Sequence, residues 1–194
     1  MAASSVETIL LPEIGENPNN AVLPLLLYRA AVPIDARDPE GSVEKTFWAN
    51  NWADGFRGDT FPFHHYHSFA HEVVGCARGQ ATLQFGGPTG PVVEVEAGDA
   101  VLIPAGVVHC RLDDRPGYIS VGAYPPGQKA DICVLLESEA DIARARPDAE
   151  GLELKVVGKA ELPAIKAMIA RTVLPTTDPI GGKKGAVQAH WLKA

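Results

Sequence analysis

Two histidine-bearing segments constrain this chain more than any other feature of its sequence. The first contains His65, His67 and Glu72, and the second ends at His109 after a turn that contains proline and glycine. Three imidazoles and one carboxylate form a donor set that binds divalent transition metals and leaves room for water or a substrate. A chain that brings these four side chains to one point must curve its backbone around them.

The first segment has the alternation of a β-strand. Residues two apart point to the same face of a strand, so a strand over residues 61–67 places Phe61, His65 and His67 on one face. Glu72 follows a short break and begins a second predicted strand, and a hairpin of that length returns it to the histidine pair. Local structure therefore predicts three of the four ligands side by side.

The third histidine comes from a more distant part of the chain. Residues 104–106 read Pro-Ala-Gly, which is a turn signature because proline fixes φ and glycine takes positive φ. After this turn a new strand can begin with His109. Four ligands on three strands need a sheet that curves around them, and a closed barrel provides that geometry.

The same residues resemble the cupin superfamily, whose two motifs are G-x5-H-x-H-x3,4-E-x6-G and G-x5-P-x-G-x2-H-x3-N. The first motif runs here from His65 to Gly79, and its leading glycine is Gly58, one position early. The second motif ends at His109 and is followed by Asp113 where the family has asparagine. We expect Asp113 still to take part in hydrogen bonds on that strand.

The resemblance implies a mainly β fold, the cupin-type double-stranded β-helix or jelly-roll barrel, with a few peripheral helices. It implies that a divalent transition metal (Fe, Mn, Zn or Ni) is bound by His65, His67, Glu72 and His109. A narrower resemblance is to a group of small microbial cupins called YjlB-like. It is carried by residues 50–56, 63–68, 122–125 and 178–182 and extends over most of the chain.

Length predicts one domain, and the resemblance implies that it is a single cupin domain across residues 1–194. The barrel core is expected at about 58–125, after an N-terminal arm and helix over 1–57 and before a C-terminal helical extension and return segment over 126–194. Within the barrel we predict strands at 61–67, 71–78, 80–86, 92–96, 100–104, 108–113 and 117–124. Three cysteines at wide spacing suggest neither a disulfide framework nor a zinc knuckle.

Outside the barrel the patterns are weaker. Residues 1–20 read as an irregular arm, followed by an outer strand at 25–31. A short helix is expected over 42–51, capped by Ser42, with Phe47 and Trp48 packed on the barrel. Beyond the barrel we predict a strand at 131–136, helices at 138–146 and 160–171, a loop at 176–185 and a return strand at 186–192.

The acidic net charge of the chain argues against two classes of binding partner. A net charge of −7 and a pI near 5.3 argue against nucleic acid and anionic membrane surfaces, which attract basic patches. The first residues lack the order of a signal peptide, so the cytoplasm is the expected location. Similar proteins commonly pair through outer strands, and a homodimer is expected.

Two classes of function remain open. In the first, the protein is a metal-dependent enzyme that acts on a small-molecule substrate, as similar dioxygenases, decarboxylases and isomerases do; acireductone dioxygenase, with a comparable length and ligand set, is one candidate. Glu72 would then serve also as a base, and Arg111 would clamp a carboxylate or enolate. In the second, the same barrel cavity is a non-catalytic small-molecule sensor or binding module.

Several further side chains have both a functional and a structural interpretation. Arg111 shares a strand face with His109, but a rim arginine in solvent would share it too. Tyr124 could donate a hydrogen bond in the cavity, although a tyrosine of the core is commoner. His64 is expected to face outward or support the ligands, and His71 is expected to have a surface or packing role.

Overall fold

The structure is a computed structural model that describes residues 6–113, 115–135 and 153–192. The strands of this part of the chain are β1 Val6–Leu11, β2 Asn20–Tyr28, β3 Arg57–Gly58, β4 Glu72–Arg78, β5 Gln80–Phe85, β6 Val92–Glu96, β7 Ala100–Ile103, β8 His109–Arg111, β9 Ile119–Ala123, β10 Ile132–Leu135 and β11 Leu154–Val157. The helices are α1 Pro39–Ala49, α2 Leu162–Ile169 and α3 Ala186–His190.

Two antiparallel sheets form the body of the protein. The larger has the strand order β1-β2-β7-β4-β9-β3, and the smaller has the order β6-β5-β8. The strands β10 and β11 form a separate parallel pair. The fold is mainly β, the double-stranded β-helix expected from the sequence, with helices at its periphery.

Both faces of the larger sheet are buried at its central strands β4 and β7. Alternate residues of its central strands, such as Leu25 and Val74, meet Leu83 and Phe85 of the smaller sheet in one apolar cluster. The opposite residues, such as Leu26, Val73 and Leu102, form a second cluster. The second cluster includes Phe47 of α1 together with Trp52 and Trp191. Burial on both faces explains why these strands read as nearly continuous apolar runs instead of alternating ones.

The turn before His109 has the predicted form. Gly106 has φ +88°, and a Cβ at this position would lie 2.6 Å from the carbonyl oxygen of Asn19. Glycine is therefore required both by the backbone conformation and by the space available. The turn delivers His109 to the first position of β8, as the sequence indicates.

Other expectations need correction. Within the arm predicted over 1–20, the part at 6–11 is not irregular, because β1 pairs with β2 from Val6 opposite Tyr28 to Leu11 opposite Asn20. The helix begins earlier than predicted, since Asp38 is its N-cap and accepts a hydrogen bond from the Gly41 N–H.

The side chains of α1 and the final segment also differ from the predictions. Phe47 is buried as predicted, but Trp48, which was also expected to pack on the barrel, is 57% exposed. The tryptophan that lies in the core is Trp52. The return strand predicted at 186–192 is wrong, because residues Ala186–His190 form α3. The strand at 131–136 is confirmed as β10, and the helix at 160–171 is confirmed as α2 with Pro163 in its first turn.

The helix predicted at 138–146 lies outside the described residues. Among the residues that are described, no helix is both long and apolar enough to cross a membrane.

Candidate metal centre

The three predicted histidines converge. Ligand nitrogens of His65, His67 and His109 all lie within 4.8 Å of one another, and the three side chains are buried. The backbones of His65 and His109 exchange two hydrogen bonds, of 3.1 and 2.9 Å, so the two rings lie side by side with centroids 4.1 Å apart. The segment over 61–67 does not form the regular strand that was predicted; it makes single bridges, from His65 to His109 and from Tyr66 to Cys133.

Backbone carbonyls orient all three imidazoles in the same way. The Nδ1 atom of His65 lies 3.1 Å from the carbonyl oxygen of Phe63, and that of His109 lies 2.9 Å from the carbonyl of Val107. His67 makes the equivalent bond to the carbonyl of Asp131. A carbonyl only accepts, so each Nδ1 carries a proton, and in the neutral ring Nε2 then keeps a free lone pair for a metal. This support is typical of histidines that bind metals through Nε2.

Glu72 joins two of the histidines. It begins β4, opposite Ile103 of β7. Its Oε2 atom lies 3.2 Å from the Nε2 atoms of both His67 and His109. Its other oxygen, Oε1, accepts a hydrogen bond of 3.2 Å from the hydroxyl of Tyr124. The structure therefore brings together all four residues that the sequence singled out.

The electrostatics of the cluster favour an anionic Glu72 carboxylate and a neutral His65 ring. Burial raises the pKa of Glu72, but His67 and His109 outweigh that effect and hold it well below the usual range. Burial, together with the neighbouring histidines, lowers the pKa of His65 well below its usual value. Burial also lowers the pKa of His67, but the Glu72 carboxylate outweighs it, and the net shift is upward.

The donor set fits a divalent transition metal. A carboxylate that is 3% exposed needs a compensating positive charge close by. Its hydrogen-bond and ion-pair contacts in the described part of the chain are His67, His109 and Tyr124, none of which is a permanent cation. A divalent ion among the Nε2 atoms and Oε2 would supply that charge, and imidazole with carboxylate suits Fe, Mn, Zn or Ni.

A cavity of about 600 Å³ leads to these side chains. At its inner end are the four candidate ligands, and its outer end reaches the exposed residues Asp54 and Lys129. Much of the wall between them is apolar. The apolar side chains that line it include Phe56, Phe61, Val74 and Ile132. A volume and lining of this kind are typical of a small-molecule site.

Arg111 does not line this cavity in the described part of the chain. It is buried in β8, where its Nε donates to the carbonyl of Thr60 at 3.3 Å and its guanidinium lies 3.7 Å from Asp59. Asp59 and Thr60 line the cavity, so Arg111 contacts lining residues without lining the cavity itself. A clamp role for Arg111 stays a prediction.

The remaining singled-out residues have supporting positions. His64 lies outside the ligand group, with Nε2 3.0 Å from Oε1 of Gln84. His71 is buried and packs against Trp191, so its role is in packing. Asp113 accepts hydrogen bonds from both the N–H and the hydroxyl of Thr82.

Sequence reasoning missed the contribution of the loop after β9. Asp131 supplies the carbonyl that orients His67, and its carboxylate accepts from the N–H and the hydroxyl of Ser68. Lys129 lines the outer part of the cavity. A backbone carbonyl leaves no trace in residue type, and the only available signal was Ser68, whose short polar side chain favours local capping contacts.

The fold and the site together define a cupin, and comparison with known proteins agrees. The family model for the cupin domain matches residues 57–111. The chain is 34% identical to the Uncharacterized protein YjlB of Bacillus subtilis (strain 168) over 187 residues, which cover 96% of this chain and 97% of that protein. The chain belongs to the YjlB-like family of cupins.

Solved structures are more distant. The epimerase RmlC of Legionella pneumophila aligns with a TM-score of 0.40 at 14% identity, over 85% of this chain and 97% of that one. An acireductone dioxygenase of Bacillus anthracis, with a cadmium ion in its active centre, aligns with a TM-score of 0.34 at 16% identity. That match spans 45% of this chain and 59% of the dioxygenase chain.

Proposed function

We propose that this protein is a metal-dependent enzyme that acts on a small molecule at a site of three histidines and one glutamate. The reaction class is that of a dioxygenase, decarboxylase or isomerase. The observation that carries the proposal is the convergence of four buried donor side chains at the inner end of a cavity whose other end reaches exposed residues. A purely structural metal site would be closed by protein on all sides.

Each part of the site has a role in this proposal. His65, His67 and His109 would hold the ion through Nε2, and Glu72 would hold it through Oε2. The chemistry that a divalent transition ion supplies in such a site is polarisation of an oxygen atom of the substrate. Once a substrate fills the cavity, the apolar wall around Phe61 and Val74 would leave little room for water, which would strengthen electrostatic contacts inside it.

The charge of the site indicates the kind of ligand. A divalent ion, one carboxylate and three neutral imidazoles carry a net charge of about +1, and a substrate with one anionic oxygen donor would neutralise it. In the outer part of the lining, Lys129 and Arg57 are balanced by Asp54 and Asp59, so the charge that selects the ligand is that of the metal site. The substrate would therefore be a mainly apolar molecule with one anionic oxygen group.

Elemental analysis tests the metal site. Protein purified without chelators or nickel resin should contain stoichiometric metal, and His65→Ala and His109→Ala should lose most of it while keeping the β-sheet signal in circular dichroism. His190→Ala is the matched control, because His190 is exposed on α3 and outside the ligand group. Metal content that is the same in all four proteins would refute the ligand assignment.

Oxygen uptake and product analysis test catalysis. Metal-loaded protein is screened against small apolar carboxylic acids and enolisable ketones, with His109→Ala as the blank. Turnover that requires both metal and His109 supports the enzyme. Metal-dependent binding of these compounds without turnover would favour the sensor or binding module instead.

A further inference from the structure

We propose that Tyr124 is a positioning residue whose hydroxyl holds Oε1 of Glu72, so that the carboxylate offers only Oε2 to the metal. The inference rests on the proposed function, because it concerns how that metal site is built. It adds a residue outside the four ligands and assigns separate tasks to the two oxygens of one carboxylate.

The two oxygens of Glu72 have different surroundings. Oε2 faces the Nε2 atoms of His67 and His109 at 3.2 Å each, which is the side where the ligands converge. Oε1 is 3.2 Å from the hydroxyl of Tyr124. An ionised carboxylate has no proton to give, so the tyrosine hydroxyl is the donor. One oxygen is thus left for an ion, and the other is already bonded.

The sheet fixes Tyr124 in this place. Val73 of β4 pairs with Ala123 of β9 in antiparallel register, which brings the next residues, Glu72 and Tyr124, opposite each other. Backbone hydrogen bonds in both directions with Ala53, of 2.9 and 3.0 Å, hold Tyr124 on its other side. Its ring meets the ring of His67 edge-on, with centroids 5.9 Å apart at 85°.

Single-oxygen binding has a functional consequence. A carboxylate that binds through both oxygens takes two coordination positions, whereas one that is held at Oε1 takes only one. The position that is saved stays open for substrate, which enters through the cavity that Tyr124 also lines. Hydrogen-bond partners of a metal ligand typically account for about 10- to 100-fold in metal affinity.

Cobalt titration tests the assignment. Apo protein is titrated with Co(II) in competition with a chromophoric chelator, and the visible d–d spectrum is recorded. Tyr124→Phe removes only the hydroxyl. The matched control is Tyr118→Phe, which removes the hydroxyl of a buried tyrosine that contacts Thr60 at 3.2 Å and none of the ligands.

We expect Tyr124→Phe to bind Co(II) about 10- to 100-fold more weakly, because Glu72 loses the hydrogen bond that orients it. We also expect the d–d spectrum to change, because Oε1 becomes free to coordinate. Tyr118→Phe should match the wild type in both measurements. Equal affinity and an unchanged spectrum in Tyr124→Phe would overturn the role of Tyr124 and leave the metal site standing. A wild-type protein that takes up no Co(II) would overturn the metal site and this inference together.

A second measurement needs no variant. A crystal structure of the wild-type protein with Co(II) should show Glu72 bound through one oxygen and the Tyr124 hydroxyl within hydrogen-bond distance of the other. Coordination through both oxygens, or a Tyr124 side chain turned away from Glu72, would refute the positioning role even if the ion is bound.

Discussion

The hydroxyl of Tyr28 donates a hydrogen bond of 2.6 Å to Oδ2 of Asp178, a residue 150 positions further along the chain. Both side chains are buried. The same carboxylate accepts backbone N–H bonds from Ile180, Gly181 and Val187. One buried acid therefore joins β2 of the larger sheet to the C-terminal loop and to α3.

This contact predicts a specific loss of stability. Tyr28→Phe should lower the free energy of unfolding by about 1.5–3 kcal/mol, because a buried carboxylate loses a charge-assisted hydrogen bond. Urea denaturation measures the change. Tyr118→Phe is the control, since its partner Thr60 is neutral and the expected loss is only about 0.5–1.5 kcal/mol. Equal losses of unfolding free energy in the two variants would contradict a larger contribution from the hydrogen bond to Asp178.

Gly185, the N-cap residue directly before α3, faces the same carboxylate. A Cβ on Gly185 would lie 2.2 Å from Cγ of Asp178. The φ of Gly185 is −83°, so an alanine there would suffer from lack of space and not from backbone strain.

Gly185→Ala should therefore destabilise the protein by about 1–3 kcal/mol, as overpacking of a filled core does. Gly158→Ala is the matched control, because the nearest atom to its added Cβ is the end of the flexible Glu161 side chain at 3.0 Å. Thermal or urea unfolding of both variants checks this. A Gly185→Ala protein as stable as the control would show that Asp178 can move away freely.

The barrel and its ligands could be predicted because local rules control them. The turn at Gly106 follows from the freedom of glycine at positive φ. His65 and His67 reach one site as their spacing indicates, although residues 61–67 make single bridges and not the predicted regular strand. Glu72 and His109 are the first residues of β4 and β8, which are the positions that the motif spacing indicates for them. These features depend on a few neighbouring residues, which a sequence displays directly.

The rest of the structure depends on contacts between distant residues. The residues around Asp178 in the sequence do not indicate that it binds Tyr28, and those around His67 do not indicate that it binds the carbonyl of Asp131. The segment over 186–192 has apolar residues that suit a strand, but Val187 and Trp191 lie four apart and meet the core as one face of a helix. Tertiary packing decided these cases, and local propensity did not.

All three cysteines, at positions 76, 110 and 133, are free and buried. Burial raises the pKa of each thiol to about 12. Since the thiolate is the reactive form, these side chains are poor nucleophiles at neutral pH. Folded protein should thus show almost no reaction with a thiol reagent at pH 8, and denatured protein should show all three thiols. Single cysteine-to-serine variants would locate any exception, and rapid labelling of the folded protein would contradict the burial of these residues.

His71 is a buried group whose protonation opposes folding. Its Nδ1 atom accepts the N–H of Ala105 at 3.0 Å, so the ring must be neutral for this bond to exist. Burial lowers the pKa of His71 from its ordinary value of 6.5 to about 4. Its ring packs on Trp191, away from solvent. Between pH 6.5 and pH 4 the unfolded chain therefore binds a proton at this residue that the folded protein does not bind.

Stability should fall with acid over that range. The contribution of His71 is fully present above pH 6.5 and is lost as the pH drops towards 4, and the shift of about 2.5 pKa units corresponds to roughly 3 kcal/mol. Urea unfolding of chelator-treated protein across pH 4.5–7.5 measures it. His71→Gln, which cannot titrate, should lose stability less steeply than the wild type as the pH falls, while His190→Gln, at an exposed site, should follow the wild type. Parallel curves for His71→Gln and the wild type would mean that another group controls acid unfolding.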